Sequence, residues 1–218
     1  MVQGKRLALT PQCITNRKES NHIQIPCRDN QTSKQQMPHP INTICIYCAS
    51  SPEIDSCYLQ AAEELGEKLA KKNITCVCGA GNSGLMGVLC EKVLLGGGRI
   101  IGVIPRFMYE NGWYHPQLQE IEITQTMHER KSRMAQLSDV YIALPGGCGT
   151  MEELLEIITW KQLGLCSSPI VILNINGYYN ALIEMLHTAI DQRFMKPDQR
   201  HLWSVATTVD QALQQIGI

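Results

Sequence analysis

Residues 143–158 read ALPGGCGTMEELLEII, and this stretch decides the fold that the sequence predicts. An apolar run ends at Pro145, three glycines and a threonine follow within five residues, and a run with helical spacing comes next. This order is typical of a strand that leads through a glycine-rich loop into a helix. Amides of such a loop, together with the positive end of the helix dipole, can bind a phosphate group.

The alternation of strand-like and helix-like runs continues on both sides of this stretch. It predicts strands at 43–48, 74–78, 99–104, 120–124, 139–144 and 169–174. It predicts helices at 56–71, 84–96, 128–137, 151–163, 178–193 and 208–216. Strands and helices that alternate form a parallel sheet with helices on both faces, so we expect a single Rossmann-like α/β domain over residues 41–218. Residues 1–40 are polar and lack periodicity, which predicts a disordered or mis-annotated N-terminal extension.

Composition and charge disfavour several classes of function. The 218 residues carry a formal net charge of -1, whereas a general nucleic-acid or membrane-surface binder would show a basic excess. No apolar run approaches the roughly 18 residues of a membrane span. Five of the ten cysteines lie in apolar strand-like or helical runs, which indicates buried thiols and a cytoplasmic protein. Cys45 and Cys48 have the spacing of a redox or metal motif, but they lie within a strand and lack the second pair of a zinc site.

The segments that follow the strands are the candidate site, because parallel α/β sheets bind ligands at the carboxyl ends of their strands. The first strand is followed by a small, hydroxylated segment that contains Ser50. The second is followed by GAGNSGLMG at 79–87, in which three glycines have the spacing of a dinucleotide fingerprint. The acidic residue that NAD binding requires is absent, so two alternatives stay open: a tight turn, or a nucleotide contact through Gly81 and Asn82.

The loop after the fifth strand is more specific for a phosphate. Gly146, Gly147 and Gly149 leave backbone amides unshielded, and without the lysine of a triphosphate-binding loop a monophosphate fits better. Thr150 is predicted to be the N-cap of the next helix, with Glu153 completing a capping box. A cap explains Thr150 and Glu153 but not the three glycines, so Glu153 is alternatively expected to reach past a phosphate to the sugar.

A basic cluster lies near the start of the helix predicted at 128–137. Arg130 and Lys131 lie where the helix dipole disfavours cations. We therefore expect a bound anion or a partner carboxylate to offset this unfavourable interaction. Arg133 is expected on the solvated face of this helix. His128 is expected to form a structural hydrogen bond rather than to act in acid–base chemistry.

Together, MHERK at 127–131 and PGGCGTMEE at 145–153 resemble the signature of the LONELY GUY (LOG) family, once labelled possible lysine decarboxylases. The resemblance covers about residues 42–195 and includes TWKQLG at 159–164. It implies a Rossmann-like homodimer that acts on a small-molecule nucleoside monophosphate. The implied reaction is hydrolysis of the N-glycosidic bond of cytokinin riboside or adenosine 5'-monophosphates, giving a free base and ribose 5-phosphate.

The resemblance also assigns roles to residues. It places the catalytic pair on Arg130 and Glu153. It places the phosphate loop on Gly146, Gly147, Gly149 and Thr150, and further substrate contacts on Lys131, Glu152 and Thr159. Members often have an acidic residue soon after the third strand. The segment here departs from that pattern, with Glu110 as the nearest match, and this departure leaves base selectivity open. Ser50, Gly81 and Asn82, from the first two strand ends, complete the predicted substrate-binding set.

Glycosidic cleavage builds positive charge on the ribose, which the carboxylate of Glu153 could stabilise while it orients the attacking water. Arg130 would pair with Glu153 or with the phosphate, and no metal or organic cofactor is required. A decarboxylase would need a lysine that binds pyridoxal phosphate with its supporting groups, and the sequence shows no such constellation. Two alternatives remain: a non-catalytic nucleotide sensor or carrier of the same fold, and an interaction module whose glycine loops are only turns.

Overall fold

Seven parallel strands form the central sheet of the protein in a computed structural model that describes residues 40–218. The strands are β1 (Thr43–Tyr47), β2 (Thr75–Cys78), β3 (Ile100–Pro105), β4 (Glu120–Thr124), β5 (Val140–Ala143), β6 (Ile170–Leu173) and β7 (Ser204–Ala206). They lie in the order β4-β3-β2-β1-β5-β6-β7, and every neighbouring pair is parallel. The order reverses between β1 and β5, and a sheet of this kind has its ligand crevice at that point.

Helices cover both faces of the sheet. They are α1 (Ser56–Lys71), α2 (Gly84–Leu95), α3 (Arg106–Glu110), α4 (Met127–Gln136), α5 (Cys148–Gln162), α6 (Asn180–Asp191) and α7 (Val209–Gln215). Side chains of β1 alternate between the faces: Ile44 and Ile46 pack with α1, α2 and α7, and Cys45 and Tyr47 pack with α4, α5 and α6. The predicted Rossmann-like α/β class is therefore confirmed.

The six predicted strands agree with β1 to β6 to within one residue at each end. The short β7 and α3 were not predicted, because three to five residues show too little periodicity to be recognised. The predicted N-terminal extension lies outside the described residues, apart from residue 40. Within residues 40–218, no helix combines the length and apolarity that crossing a membrane requires.

Candidate active site

A cleft of about 520 Å³ opens at the carboxyl edge of the sheet, beside the point where the strand order reverses. Its walls come from the segment after β1, the glycine loops after β2 and β5, and parts of the segments after β3 and β4. Nine of the thirteen predicted site residues line it. They are Ser50, Gly81, Asn82, Arg130, Gly147, Gly149, Thr150, Glu152 and Glu153.

The other four predicted residues do not line this cleft. Gly146 lies in the wall of the loop, where an added Cβ would overlap the Thr150 hydroxyl. Lys131 is buried against α5, with its ammonium group paired to Glu152 and, at 3.0 Å, to Glu156. Glu110, at the end of α3, and Thr159, on α5, are exposed outside the lining.

The glycine loop leads directly into the N-terminus of α5. Gly147 is the N-cap, and the first amide to bond within the helix is that of Met151, 3.0 Å from the Gly147 carbonyl. The amides of Cys148, Gly149 and Thr150 thus precede the first intrahelical bond and are available to an anion. A Cβ added at Gly147 or Gly149 would meet nothing within 4 Å, so a ligand can approach the backbone there.

The predicted capping box is wrong. The helix begins at Cys148, so Thr150 occupies its third position, and no side chain caps the first turn. Because residues 147 and 149 are glycines, they have no side chain that could cover the free amides of the first helical turn or bond to them in place of a ligand. The first turn of α5 therefore presents bare backbone to the cleft.

Arg130 and Glu153 form a buried ion pair at the back of the cleft. Arg130 Nη1 lies 2.6 Å from Glu153 Oε1, and the two side chains are only 8% and 9% exposed. Arg130 Nε also donates to the Val103 carbonyl at 3.1 Å, so the guanidinium is held from two sides. Burial raises the pKa of Glu153, while the charge and hydrogen bond of Arg130 oppose this rise. The partner carboxylates expected for Arg130 and Lys131 are thus present in α5.

The second glycine loop combines left-handed backbone angles with close packing. Two of its residues have a positive φ, Ala80 at 68° and Gly84 at 59°. Gly79 is required by close approach, because a Cβ there would overlap the guanidinium of Arg130. A Cβ at Gly81 would lie 2.9 Å from Met86 Sδ. Gly79 and Gly81 therefore make room for neighbouring side chains, whereas Gly84 has a left-handed backbone angle that favours glycine.

Sequence reasoning missed the apolar wall of the cleft, formed by Met86, Met108, Trp113 and Met127. Trp113 is 53% exposed and Met127 is 41% exposed. The segment that carries Trp113 is fixed to the second loop, since the amide of His115 donates to the Ala80 carbonyl at 2.8 Å. The signal was a tryptophan soon after a strand end, but only Glu110 was selected from that segment.

Cys45 and Cys48, whose spacing matches a redox or metal motif that the sequence disfavours, lie inside the structure rather than at a helix start. Cys45 belongs to β1 and Cys48 follows it, and burial raises the pKa of both thiols. The core also contains Cys78 and Cys90, whose sulfur atoms are 3.6 Å apart. Among residues 40–218, no group of three or more His, Cys, Asp or Glu side chains could hold a metal ion.

Fold and site together define a class: Rossmann-like α/β proteins in which a bare glycine loop leads into a helix N-terminus at the sheet's carboxyl edge. Residues 86–216 match the family model described as "Possible lysine decarboxylase". The chain is 42% identical over 173 residues to the "Probable cytokinin riboside 5'-monophosphate phosphoribohydrolase LOGL6" of Oryza sativa subsp. japonica, covering 79% of this chain and 69% of that protein. It is 40% identical over 173 residues to the "Cytokinin riboside 5'-monophosphate phosphoribohydrolase LOG5" of Arabidopsis thaliana, covering 79% and 76%. The chain therefore belongs to the LONELY GUY (LOG) family.

Solved structures share the fold. The molybdenum cofactor carrier protein of Chlamydomonas reinhardtii aligns with a TM-score of 0.63 at 21% identity, covering 81% of this chain and 96% of that chain. The molybdenum cofactor binding protein of Rippkaea orientalis aligns with a TM-score of 0.62 at 18% identity, with the same coverage. At these identities the likeness shows the fold alone.

Proposed function

We propose that this protein is a phosphoribohydrolase that cleaves the N-glycosidic bond of purine nucleoside 5'-monophosphates. The products are the free base and ribose 5-phosphate. The observation that most directly supports this proposal is a buried arginine–glutamate pair that faces the same cleft as the bare amides of a helix N-terminus. Relatives at about 40% identity are named for this reaction on cytokinin riboside 5'-monophosphates, which supports the assignment.

The phosphate of the substrate binds the start of α5. Amides at Gly147, Cys148, Gly149 and Thr150 supply hydrogen bonds, and the helix dipole adds partial positive charge. Among the described residues Arg130 is the only lysine or arginine that lines the cleft, and it is paired with Glu153, so a longer polyphosphate would lack a free counter-charge beyond these amides. A monophosphate is the anion that this arrangement fits.

Glu153 acts at the anomeric carbon. It lies one helical turn after Thr150, so its carboxylate faces the sugar of a nucleotide whose phosphate occupies the loop. Loss of the base leaves positive charge on the ribose, and a carboxylate shielded from water stabilises that charge strongly. Arg130 holds the carboxylate in place and favours its charged form against burial. The same carboxylate orients and deprotonates the attacking water.

The base lies against the apolar wall of Met86, Met108, Trp113 and Met127. Methionine and tryptophan side chains bind the flat face of a purine through dispersion and sulfur–aromatic contacts. Because Trp113 and Met127 are partly exposed at the cleft, a substituent on the exocyclic nitrogen of adenine has room there. Both adenosine and cytokinin riboside monophosphates fit this surface.

The residues of the cleft do not support lysine decarboxylation. Lys131 is buried, and its ammonium group is committed to Glu152 and Glu156. No lining side chain among the described residues is a lysine that could form a Schiff base with pyridoxal phosphate.

Incubation of the purified protein with AMP, followed by chromatography for free adenine, tests the proposed function. We expect adenine and ribose 5-phosphate in equal amounts. Binding of AMP without release of adenine would contradict hydrolysis and favour a nucleotide sensor or carrier. Absence of a thermal shift with AMP would favour an interaction module.

We also propose that the protein is a homodimer that pairs through the outer face of α5. Leu155, Thr159 and Leu163 follow one another at helical spacing, and the two leucines are 39% and 66% exposed. The pairing would bring Thr159, which lies outside the cleft of its own chain, into an interface. Sedimentation should give twice the 24.4 kDa chain mass. Leu155→Glu should shift the protein toward the monomer, and a monomeric wild type would contradict the proposal.

A cytoplasmic location is proposed on the basis of the cysteines. The eight cysteines at described positions are free thiols, and six of them are buried. Such thiols suit a reducing compartment. Fractionation of cells with an antibody to the protein checks this, and recovery from an oxidising compartment would contradict it.

A further inference from the structure

Two tyrosine hydroxyls from the turn between β6 and α6 hold the glycine loop from the side away from the cleft. Tyr178 Oη donates to the Gly146 carbonyl at 2.8 Å. Tyr179 Oη donates to the Leu144 carbonyl at 2.7 Å. Neither tyrosine lines the cleft, so both act on the loop rather than on a ligand.

The Tyr178 bond determines where a loop amide points, and the Tyr179 bond fixes the Leu144–Pro145 peptide, which has no N–H, at the start of the loop. A trans peptide is planar, so the amide of one residue points opposite to the carbonyl of the residue before it. The Gly146 carbonyl is directed to Tyr178, which turns the Gly147 amide to the opposite side, where Gly147 lines the cleft. The Pro145 carbonyl accepts from the Ala49 amide at 3.2 Å, which fixes the preceding peptide plane, Pro145–Gly146, in the same way. Three successive carbonyls of the loop are therefore held.

Without such bonds the loop would have conformational freedom. Glycine accesses more backbone conformations than any other residue, so the Gly146–Gly147 peptide could rotate at little cost. Rotation would replace an amide in the cleft by a carbonyl oxygen, which repels a phosphate. The Tyr178 hydroxyl stabilises the peptide orientation that binds an anion, and the Tyr179 hydroxyl fixes the backbone from which the loop begins.

The turn that carries the tyrosines is itself rigid. Asn174 is buried, and its side chain accepts from the Tyr179 amide at 2.7 Å and donates to Asn180 at 2.8 Å. The backbone amide of Asn174 donates to the Ala206 carbonyl of β7 at 2.7 Å, which attaches the turn to the sheet. The ring of Tyr179 is packed in the core and is only 1% exposed.

We propose that Tyr178 and Tyr179 are positioning residues for the substrate phosphate, acting through the carbonyls of Gly146 and Leu144. The proposal rests on the proposed function for the identity of the ligand. The expected effect is on the binding of phosphorylated ligands, because the hydroxyls orient the loop while Glu153 is held separately by Arg130. Removing a group that contributes equally to ground-state and transition-state binding raises KM and leaves kcat unchanged.

Tyr178→Phe and Tyr179→Phe, each lacking one hydroxyl, test this proposal. Tyr141→Phe is the matched control, since Tyr141 is buried and its hydroxyl donates to the Ala135 carbonyl at 3.0 Å, away from the loop. We expect each of the two variants to raise the KM for AMP and the Kd for ribose 5-phosphate together by about 3- to 10-fold, the effect of losing one intramolecular hydrogen bond. The kcat and the Kd for adenosine, which has no phosphate, should stay near wild type. The control should change none of these constants.

An equal loss of affinity for ribose 5-phosphate and adenosine, or no loss for either, would overturn the proposal. Tyr178 is 42% exposed, so Tyr178→Phe carries the test if Tyr179→Phe does not fold. Calorimetry of ribose 5-phosphate binding needs no turnover. If the wild type binds AMP and releases no adenine, the proposed reaction fails, and the Kd values still decide the role of the tyrosines. A wild type that binds no phosphorylated ligand overturns both.

Discussion

Glu153→Gln is expected to lower kcat for adenine release from AMP by about 1000-fold while AMP still binds. Glutamine has the same shape and its oxygen can still accept from Arg130, but it carries no negative charge for the ribose cation. It also cannot deprotonate the attacking water. The KM for AMP should change little, because the phosphate is bound by backbone amides that the substitution leaves in place.

Glu156→Gln is the matched control for this variant. Glu156 lies on the same helix, one turn further on, and pairs with Lys131 outside the cleft. We expect Glu156→Gln to keep kcat within a few-fold of wild type. Steady-state assays of released adenine compare the two variants, and similar turnover for Glu153→Gln and wild type would remove Glu153 from the chemistry.

Arg130→Ala is expected to lower kcat by about 100-fold or more and to destabilise the protein by roughly 3–5 kcal/mol. The substitution leaves Glu153 buried without its cation. The pKa of Glu153, already raised by burial, would rise further, so a larger fraction would be protonated and inactive at neutral pH. Since a carboxyl group regains its charge above its pKa, the remaining activity should increase as the pH is raised.

Gly79→Ala disturbs the same pair without removing either charge. The added Cβ would overlap the guanidinium and displace it from Glu153, so we expect a fall in kcat similar to that of Arg130→Ala. Gly81→Ala, in the same loop, meets the flexible end of Met86 and should lose far less. Thermal unfolding and adenine release measured on all three variants check these expectations. Full activity in Arg130→Ala would contradict the role of the ion pair.

Much of the fold follows from sequence because most of its strands are short apolar runs between polar, glycine or proline residues, and β4 alternates isoleucine with polar residues. The loop at 145–153 was recognised for the same reason, since consecutive glycines before an amphipathic run have few structural uses. The first turn of α5 was misplaced because Thr150 and Glu153 also match a capping box, and only the backbone shows that Gly147 is the N-cap.

The remaining parts of the site depend on contacts between distant segments. The apolar wall combines side chains from α2, from α4 and from α3 and the segment after it, and no local pattern marks their convergence. The tyrosines that hold the loop lie 32 and 35 residues away from the carbonyls they bond. A tight turn was one interpretation of the loop that contains Gly79. The structure shows that a glycine is needed at this position because Arg130 of α4 approaches it closely.

A crystal structure of Glu153→Gln with AMP tests the central claim most directly, because the slow variant should retain the intact nucleotide. We predict the 5'-phosphate at the amides of Gly147, Cys148, Gly149 and Thr150. The side chain at position 153 should then lie against the anomeric carbon, with the purine on the apolar wall. A phosphate bound elsewhere, or a side chain at 153 that faces away from the sugar, would contradict the account.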